Sequence, residues 1–420
     1  MALIKKSVTG MKDILPEEMF IRDYLINIIK KTYGSFGFTS IETPAMEHIE
    51  NLLSKQGGDN EKLIFKILKR GEKLQLENIN DENDLVDAGL RYDLTLPLAR
   101  YYSNNQANLP NPFKALQIGN VYRADRPQKG RFRQFTQCDI DILGEASNLA
   151  EIELILATTK ALGEIAKGKH FTVRINDRRI LMAMAIFAGY NEDNINDVFI
   201  ILDKMDKIGM DGVKKELTEL DGVGKCVKYL SLFNRLSDNA EAVLSLKDKL
   251  AGFIEDGVLD SLCEIIDTVL EVNTNDFSLV FDPTLVRGMG YYTGTIFEVS
   301  MEGFSGSVAG GGRYDKVIGK FSSKEVPACG FSIGFERIVT ILTEENFEPE
   351  KEPVKKAYLY EKGLNDSAFI DILHKAKEDR KKGLTVLVTA MNKNKKFQKE
   401  QLSLQGYTEF MEVYKEELKK

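Results

Sequence analysis

The stretch RADRPQKGRFRQFTQCDID, residues 123–141, decides which fold the sequence predicts. Its first half holds five basic side chains around the turn-forming run Arg-Pro-Gln-Lys-Gly, and its second half alternates polar with apolar residues. Residues 113–123 alternate in the same way, so we expect two antiparallel strands, 113–123 and 131–143, joined by a hairpin loop. Residues 90–96 also alternate, and they are expected to form another strand of the same sheet.

The rest of the chain predicts helices and further strands around this sheet. Apolar residues at helical spacing follow Pro16 and two acids, which predicts a helix that ends near Gly34. Residues 148–167 predict another helix, and residues from about 190 to 275 predict a helical insertion. Strands are expected in TSIETPAMEHIE, where Pro44 interrupts the strand, and in HFTVRI, FSLVFD and GYYTGTIFEVS. SGSVAGGGRYD predicts a glycine loop, followed by an apolar helix after FSIGFER.

Together these elements predict an α+β protein with an antiparallel sheet flanked by helices. We expect a first domain at residues 1–345 that includes the helical insertion. An acidic, proline-containing linker at 346–356 then leads to a small α/β domain at 357–420.

Composition excludes several classes of protein. The 420 residues with 43% hydrophobic content can bury a large core, and a net charge of −7 argues against a general polyanion binder. No apolar run approaches the roughly 18–20 residues of a membrane span, and no signal peptide is recognisable, so we expect a cytoplasmic protein without a membrane segment. The four cysteines stand far apart and only three histidines occur, so we expect buried thiols and no metal site.

Strand alternation places polar side chains over one face of the predicted sheet, because residues two apart share a face. Such sets could simply pair with arginines at a solvated face. Long strands that carry Asp, Gln, Thr and Tyr beside glycines instead favour a floor for a small cationic or amine-bearing ligand. The three sets are Arg133, Phe135, Gln137, Asp139 and Asp141; Asp93 and Thr95; and Tyr292, Gly294, Ile296 and Glu298.

Three arginines stand in settings that favour phosphate binding. Arg123 ends a predicted strand, Arg287 lies in LVRGMGYY, and Arg337 begins an apolar helix. Guanidinium groups clamp phosphates through bidentate hydrogen bonds, although a single arginine is often only ion-paired at the surface. The run AGGGRYDKVIG lacks the GxxxxGK[ST] pattern, so we expect no Walker-type nucleotide loop.

Six ordered motifs resemble those of one enzyme family. YGSFGFTSIETP is similar to motif 1 of the class II aminoacyl-tRNA synthetases, VYRADRPQKGRFRQFTQCDIDILG to motif 2, and GFSIGFERI to motif 3. LRYDLTLPLAR, LVRGMGYYTGTIFE and GSVAGGGRYD resemble segments that mark the histidyl-tRNA synthetases. The resemblance runs from about Gly10 to Leu342. It implies a class II catalytic core that dimerises through motif 1 and an anticodon-binding α/β domain at residues 357–420.

The resemblance also implies roles for individual residues. Arg123 and Arg287 would hold the α-phosphate of ATP, and Arg337 the γ-phosphate. The α-amino group of histidine would be bound by Asp93, Thr95 and Gln137. Its imidazole would be bound by Asp141 and Tyr292, with Tyr291 nearby.

The implied activity is that of a histidine–tRNA ligase. Such an enzyme activates histidine with ATP and Mg²⁺ and transfers it to tRNA(His), usually as a homodimer. The polar turn of motif 2 would contact the acceptor end of the tRNA through Arg126, Gln128, Lys129 and Arg131. Gly290 departs from the family pattern, because an aspartate usually stands there. The alternative is a non-catalytic relative with the same fold, such as the regulatory subunit of ATP phosphoribosyltransferase, which has no need of all three phosphate-binding arginines.

Overall fold

The computed structural model describes most of the chain and divides it into two compact units. The first unit comprises Met1–Lys12 and Asn27–Ile341, and the second comprises Asp13–Ile26 and Leu342–Lys420. The domain limits expected from the sequence stay a prediction. The described residues are 3–53, 60–75, 77, 79, 81–127, 131–233, 240–286, 290–322, 324–345, 347 and 354–415.

An eight-stranded sheet forms the centre of the first unit, in the order β1-β5-β6-β11-β10-β9-β7-β8. All neighbours run antiparallel except the pairs β1–β5 and β7–β8, which are parallel. A smaller sheet has the order β2-β4-β3. The strands are β1 (Thr39–Ser40), β2 (Met46–His48), β3 (Lys66–Leu68), β4 (Val86–Leu90), β5 (Phe113–Tyr122), β6 (Gln134–Leu143), β7 (Phe171–Asp177), β8 (Phe277–Phe281), β9 (Thr295–Met301), β10 (Ser307–Arg313) and β11 (Ala328–Ile333).

Helices flank this sheet and make up the predicted insertion. The helix expected after Pro16 and the helix expected at 148–167 are both confirmed as α1 and α4. Within the described part of residues 192–272, every regular element is helical, which confirms the insertion. The α-helices up to residue 344 are α1 (Pro16–Ser35), α2 (Ile49–Leu52), α3 (Thr95–Asn105), α4 (Leu149–Ile165), α5 (Arg178–Ala188), α6 (Glu192–Leu202), α7 (Met205–Asp221), α8 (Val223–Leu230), α9 (Ala240–Leu244), α10 (Lys247–Leu250), α11 (Val258–Val272) and α12 (Phe335–Glu344).

The predicted hairpin is confirmed by the long pairing of β5 with β6, which runs from Phe113 opposite Leu143 to Tyr122 opposite Gln134. One face of β6 carries Cys138 and Ile140, which are fully buried on the side of the sheet that is packed by α4. Burying an apolar side chain of this size stabilises the fold by about 1.5–3 kcal/mol. The other face of the strand is therefore left to present polar side chains.

The predicted glycine loop is wrong, because residues 307–313 form β10 in the middle of the sheet. A Cβ atom on Gly311 would lie 2.0 Å from the carbonyl oxygen of Gly330 on β11, and one on Gly312 would lie 2.5 Å from the carbonyl oxygen of Thr295. The glycines thus permit close strand pairing rather than a turn. They also leave a floor without side chains.

The strand expected at residues 90–96 is also wrong. The strand β4 ends at Leu90, and α3 begins at Thr95, so Asp93 and Thr95 do not share a strand face. The carboxylate of Asp93 accepts a hydrogen bond from the backbone N–H of Leu96 (3.0 Å), which satisfies one of the free donors of the helix N-terminus. A helix can form here because Leu94, just before α3, and Leu96 and Leu98 within it are buried as well as they would be in an alternating strand.

Two predicted strands begin later than expected. β6 starts after Arg133, and β9 starts after Tyr292 and Gly294, so these three residues lie outside the strand faces assigned to them. Arg133 instead closes the hairpin, since its backbone carbonyl accepts a hydrogen bond from the N–H of Arg123 (2.9 Å), while its own N–H donates to the carbonyl of Gly10 (2.8 Å). Near Tyr292, the Thr293 N–H donates to the carbonyl of Arg313 (2.8 Å), and the Arg178 N–H donates to the carbonyl of Gly294 (2.9 Å).

The second unit contains the predicted small α/β fold. Three parallel strands in the order β13-β12-β14 pack against helices around a core that includes Tyr358 and Ile372. Most of the expected linker, residues 346 and 348–353, lies outside the described residues. The elements are β12 (Lys355–Tyr360), α13 (Asp366–Lys381), β13 (Thr385–Ala390), α14 (Lys395–Leu404) and β14 (Tyr407–Val413).

Two expectations from composition can be compared with the structure. All four cysteines are buried thiols that form no disulfide, as the sequence predicts. In the part of the chain that the structure describes, no helix has the length and apolar character required to cross a membrane.

Candidate active site

One recess above the central strands gathers seven of the residues singled out from the sequence. Its floor is formed by β6, β10 and β11, including Gly310 and Gly311 of the glycine strand. Arg123, Tyr291 and Tyr292 reach it from the surrounding loops. The remaining predicted residues in the recess are Asp93, Thr95, Gln137 and Asp141.

Other predicted residues lie elsewhere. Arg337 does not line this recess, and its guanidinium group donates hydrogen bonds to the backbone carbonyl and the hydroxyl of Ser307. Arg126 and Arg131 are exposed, and Arg131 lies 4.0 Å from the carboxylate of Asp125. Three further candidates fall outside the described residues, namely Arg287, Gln128 and Lys129.

Three polar residues of β6 face the recess in a row: Gln137, Asp139 and Asp141. The amide nitrogen of Gln137 donates to the hydroxyl of Ser332 on β11 at 3.5 Å. Two buried oxygens, Oε1 of Gln137 and Oδ1 of Asp139, have no hydrogen-bond partner among the described residues. A buried polar atom without a partner is costly, so these two atoms mark the recess as a place for a ligand that donates hydrogen bonds.

Burial raises the pKa values of the three carboxyl groups in the recess. Burial raises the pKa of Asp141 to about 7, although the Tyr314 hydroxyl, which donates to Asp141 Oδ1 at 2.5 Å, lowers it and Asp93 raises it further. The pKa of Asp139 is raised well above its ordinary value by burial and by the neighbouring Asp141. Burial also raises the pKa of Asp93. A bound cation would oppose all three shifts.

Arg123 is the one cation among the described residues that line the recess. Its Nε donates to the backbone carbonyl of Tyr92 (3.1 Å), and its guanidinium carbon lies 4.2 Å from the ring centre of Tyr92 and 5.1 Å from that of Phe135. Contact with both rings fixes the plane of the guanidinium group. A planar, fixed fork is suited to binding a phosphate or carboxylate group.

Sequence reasoning gave no role to three residues that shape the recess. Asp139 was placed on the correct face but not assigned to a ligand, and Tyr314 was seen only as part of the glycine motif. Gly330 is required because a Cβ atom there would lie 2.0 Å from Asp141 Oδ1. Alternation along β6 was a usable signal for Asp139, whereas Tyr314 and Gly330 are brought to Asp141 by pairing between distant strands.

A buried ion pair lies at the end of the glycine strand. Arg313 of β10 donates from Nε and Nη2 to the two carboxylate oxygens of Glu151 on α4, at 2.6 and 2.7 Å. Arg313 is 9% exposed and Glu151 is 1% exposed. This bidentate contact connects a helix behind the sheet to the strand that forms the floor of the recess.

Comparison with known proteins decides the family. Residues 10–338 match the family model described as histidyl-tRNA synthetase. The chain belongs to the histidyl-tRNA synthetase family. It is 45% identical over 346 residues to the histidine–tRNA ligase of Leifsonia xyli, covering 79% of each chain. It is 40% identical over 415 residues to the probable histidine–tRNA ligase of Tropheryma whipplei, covering 96% of this chain and 94% of that one.

Solved structures agree with this membership. The histidyl-tRNA synthetase of Nostoc sp. PCC 7120 superimposes with a TM-score of 0.78 at 27% identity, covering 96% of this chain and 90% of that one. A protein from Bacillus halodurans, described as an ATP phosphoribosyltransferase regulatory subunit/histidyl-tRNA synthetase, has a TM-score of 0.77 at 19% identity and covers 99% of each chain, which shows the fold alone. As a member of the histidyl-tRNA synthetase family, the chain is an aminoacyl-tRNA synthetase.

Proposed function

We propose that this chain is a histidine–tRNA ligase, which forms histidyl-adenylate and pyrophosphate from histidine and ATP and then transfers the histidyl group to tRNA(His). The observation that carries the proposal is the recess itself. It brings together the buried carboxyl group of Asp141, the half-buried Tyr292 and the guanidinium group of Arg123. Membership of the histidyl-tRNA synthetase family supports the same activity.

The first step follows from the charges that these residues supply. The α-carboxylate of histidine is already ionised at neutral pH, so it can attack the α-phosphate of ATP without a general base. Negative charge grows on the phosphate oxygens during the attack, and a preorganised guanidinium group stabilises that charge. We assign this role to Arg123, and from the sequence motifs to Arg287 at the same phosphate and Arg337 at the γ-phosphate.

Recognition of the amino acid uses the acidic part of the recess. The ammonium group takes oxygen acceptors from Asp93, Thr95 and Gln137. The two imidazole nitrogens take Asp141 and Tyr292, with Tyr291 packed against Tyr292 at a ring-centre distance of 4.7 Å. A side chain without a ring N–H would bring no donor to the buried Asp141 carboxylate, which would then keep only the hydrogen bond from Tyr314, and this disfavours other amino acids.

The remaining parts of the proposal rest on the family rather than on the recess. As in the family, Mg²⁺ would enter with the phosphates of ATP. We further propose a homodimer that works in the cytoplasm, where tRNA is charged.

Histidine-dependent exchange of pyrophosphate into ATP tests the function directly. We expect exchange with histidine and none above background with the other amino acids, because formation of the adenylate requires both ends of the recess to be filled. A chain that binds histidine but never exchanges pyrophosphate would contradict the proposed enzyme.

Histidine binding should weaken as the pH falls through about 7, because Asp141 must be ionised to accept a hydrogen bond from the imidazole. Its pKa of about 7 in the free protein leaves roughly a tenfold smaller ionised fraction at pH 6 than at pH 8. Titration calorimetry should therefore give about a tenfold higher Kd at pH 6. Free histidine titrates in the same range, so the Asp141→Asn variant is the control. In that variant histidine, Asp93 and Asp139 still titrate, so any remaining pH dependence of Kd comes from them. An identical dependence of Kd on pH in both proteins would rule out this role of Asp141.

Replacing Lys129 and Arg131 together with alanine should separate the two steps of the reaction. Pyrophosphate exchange needs no tRNA and should stay nearly intact, whereas aminoacylation should fall by about tenfold at low salt and depend less steeply on salt. The matched control replaces Lys30 and Lys31, two exposed lysines of α1, with alanine. Equal losses in both steps would place the motif 2 side chains at ATP instead.

A further inference from the structure

We infer that Asp139 is a further substrate-binding residue, whose Oδ1 atom accepts a hydrogen bond from the α-ammonium group of the bound amino acid. The inference deepens the proposed function and rests on it. The family resemblance gave the ammonium group to Asp93, Thr95 and Gln137, and none of those assignments includes Asp139.

The position of Asp139 fits this role. It stands between Gln137 and Asp141 on the same face of β6, about 7 Å along the strand from each. Its side chain lines the recess and is only 5% exposed. An ammonium group held by Gln137 and an imidazole held by Asp141 would therefore lie on either side of its carboxylate.

Neighbouring residues orient the Asp139 carboxyl group but leave one of its oxygens without a hydrogen-bond donor. Its strand partners are Gln117 on β5 and Ser332 on β11. The Ser332 side chain hydrogen bonds to the Asp139 carboxyl group, while the amide of Gln117 donates to the carbonyl of Leu94 (3.2 Å). Oδ1 of Asp139 remains buried and without a partner in the described structure. The carboxyl group is thus oriented, and one oxygen is available to a ligand.

In the other two carboxyl groups of the recess, the Oδ1 atom already accepts a hydrogen bond from the protein. Asp93 Oδ1 accepts from the backbone of Leu96 (3.0 Å), and Asp141 Oδ1 accepts from the Tyr314 hydroxyl (2.5 Å). The two atoms that lack donors are Oδ1 of Asp139 and Oε1 of Gln137, two residues apart on one strand. Both atoms are acceptors, so a ligand that satisfies both must donate more than one hydrogen bond. An ammonium group has three donors and no acceptor, whereas a neutral imidazole has a single N–H.

Charge favours the same ligand. Three carboxyl groups and one guanidinium group line the described part of the recess. A cation beside Asp139 offsets its repulsion from Asp141 and makes the ionised form of both groups more stable. The buried environment strengthens such a contact relative to one in water.

The test combines one variant with two ligands. Titration calorimetry would compare wild type with Asp139→Asn, using histidine and 3-(imidazol-4-yl)propionate, which lacks the amino group. We expect Asp139→Asn to bind histidine about 10- to 100-fold more weakly, because a charge-assisted hydrogen bond becomes a neutral one. The two proteins should bind the amine-free analogue with affinities that differ by less than about threefold. The control Asp282→Asn, at a carboxylate that pairs with Arg174 (3.2 Å) outside the recess, should change neither affinity.

Each outcome has a separate meaning. Unchanged histidine binding by Asp139→Asn would overturn the inference, and so would equal losses for both ligands, which would place Asp139 at the ring or in the scaffold. Retained binding of the analogue by the variant shows that its recess is folded. If the wild-type protein itself does not bind histidine, the proposed function is contradicted. If the wild type binds histidine and Asp139→Asn binds it equally well, only the role of Asp139 is contradicted.

Discussion

Replacing Arg123 with alanine should slow histidine-dependent pyrophosphate exchange by about 10²- to 10³-fold, the loss typical of removing one preorganised donor from a transition state. Arg123 is the cation of the described recess, and the rings of Tyr92 and Phe135 fix its plane. The rate should fall mainly through kcat, since the negative charge that Arg123 stabilises grows during the attack on the α-phosphate. Steady-state exchange at saturating histidine and ATP measures the effect.

Two further variants sharpen this test. Arg123→Lys keeps the charge but loses the planar fork, so it should recover only part of the lost rate. Arg70→Ala removes an exposed arginine outside the recess and should leave exchange unchanged. Wild-type exchange by Arg123→Ala would show that this guanidinium group does not act on the reacting phosphate.

Replacing Glu151 with alanine should lower the free energy of unfolding by about 3–5 kcal/mol, because it leaves the charge of Arg313 buried without its bidentate partner. Arg313 retains Asp315 at 3.4 Å and two backbone carbonyls, at residues 145 and 147, which places the loss nearer 3 kcal/mol. Urea denaturation followed by circular dichroism would measure the change.

The same helix offers a matched control. Glu153 pairs with Lys114, but both side chains are about a quarter exposed, so Glu153→Ala should cost no more than about 1 kcal/mol. The double variant Glu151→Leu with Arg313→Met removes both buried charges and should recover much of the stability lost by Glu151→Ala. Similar losses of unfolding free energy for Glu151→Ala and Glu153→Ala would mean that burial does not make the Glu151–Arg313 pair more important to stability than an exposed pair.

Elements were predicted correctly from the sequence where a local pattern was compatible with only one kind of secondary structure. Alternation over 113–123 and 131–143 could form only a hairpin with one apolar face, and the structure places β5 and β6 there. The βαβαβ order of the second unit was equally clear, because each strand and helix of that unit has its own period. Strand parity also predicted that Gln137 and Asp141 face one ligand recess.

Prediction failed where contacts between distant segments decide the conformation. The alternating leucines at 94, 96 and 98 fit either a strand or a buried helix. The hydrogen bond from Leu96 N–H to Asp93 and the burial of these leucines favour the helix. The glycines of β10 looked like a turn because their reason lies on β9 and β11, which the local sequence does not contain. The Tyr314–Asp141 hydrogen bond joins residues 173 positions apart, so no spacing rule could reveal it.

The discontinuous second unit has a consequence for synthesis of the chain. Its first segment, 13–26, leaves the ribosome early, but the residues with which it packs come after the whole first unit. The ring of Tyr24 lies 5.7 Å from that of Phe347, and Lys355 Nζ lies 4.4 Å from the ring centre of Phe20. Synthesis adds roughly 5–20 residues per second, so tens of seconds pass between the synthesis of Phe20 and Tyr24 and the synthesis of the residues they contact. Nascent chains that stop short of residue 347 therefore expose apolar surface near their N-terminus, where chaperones and proteases recognise unfinished proteins.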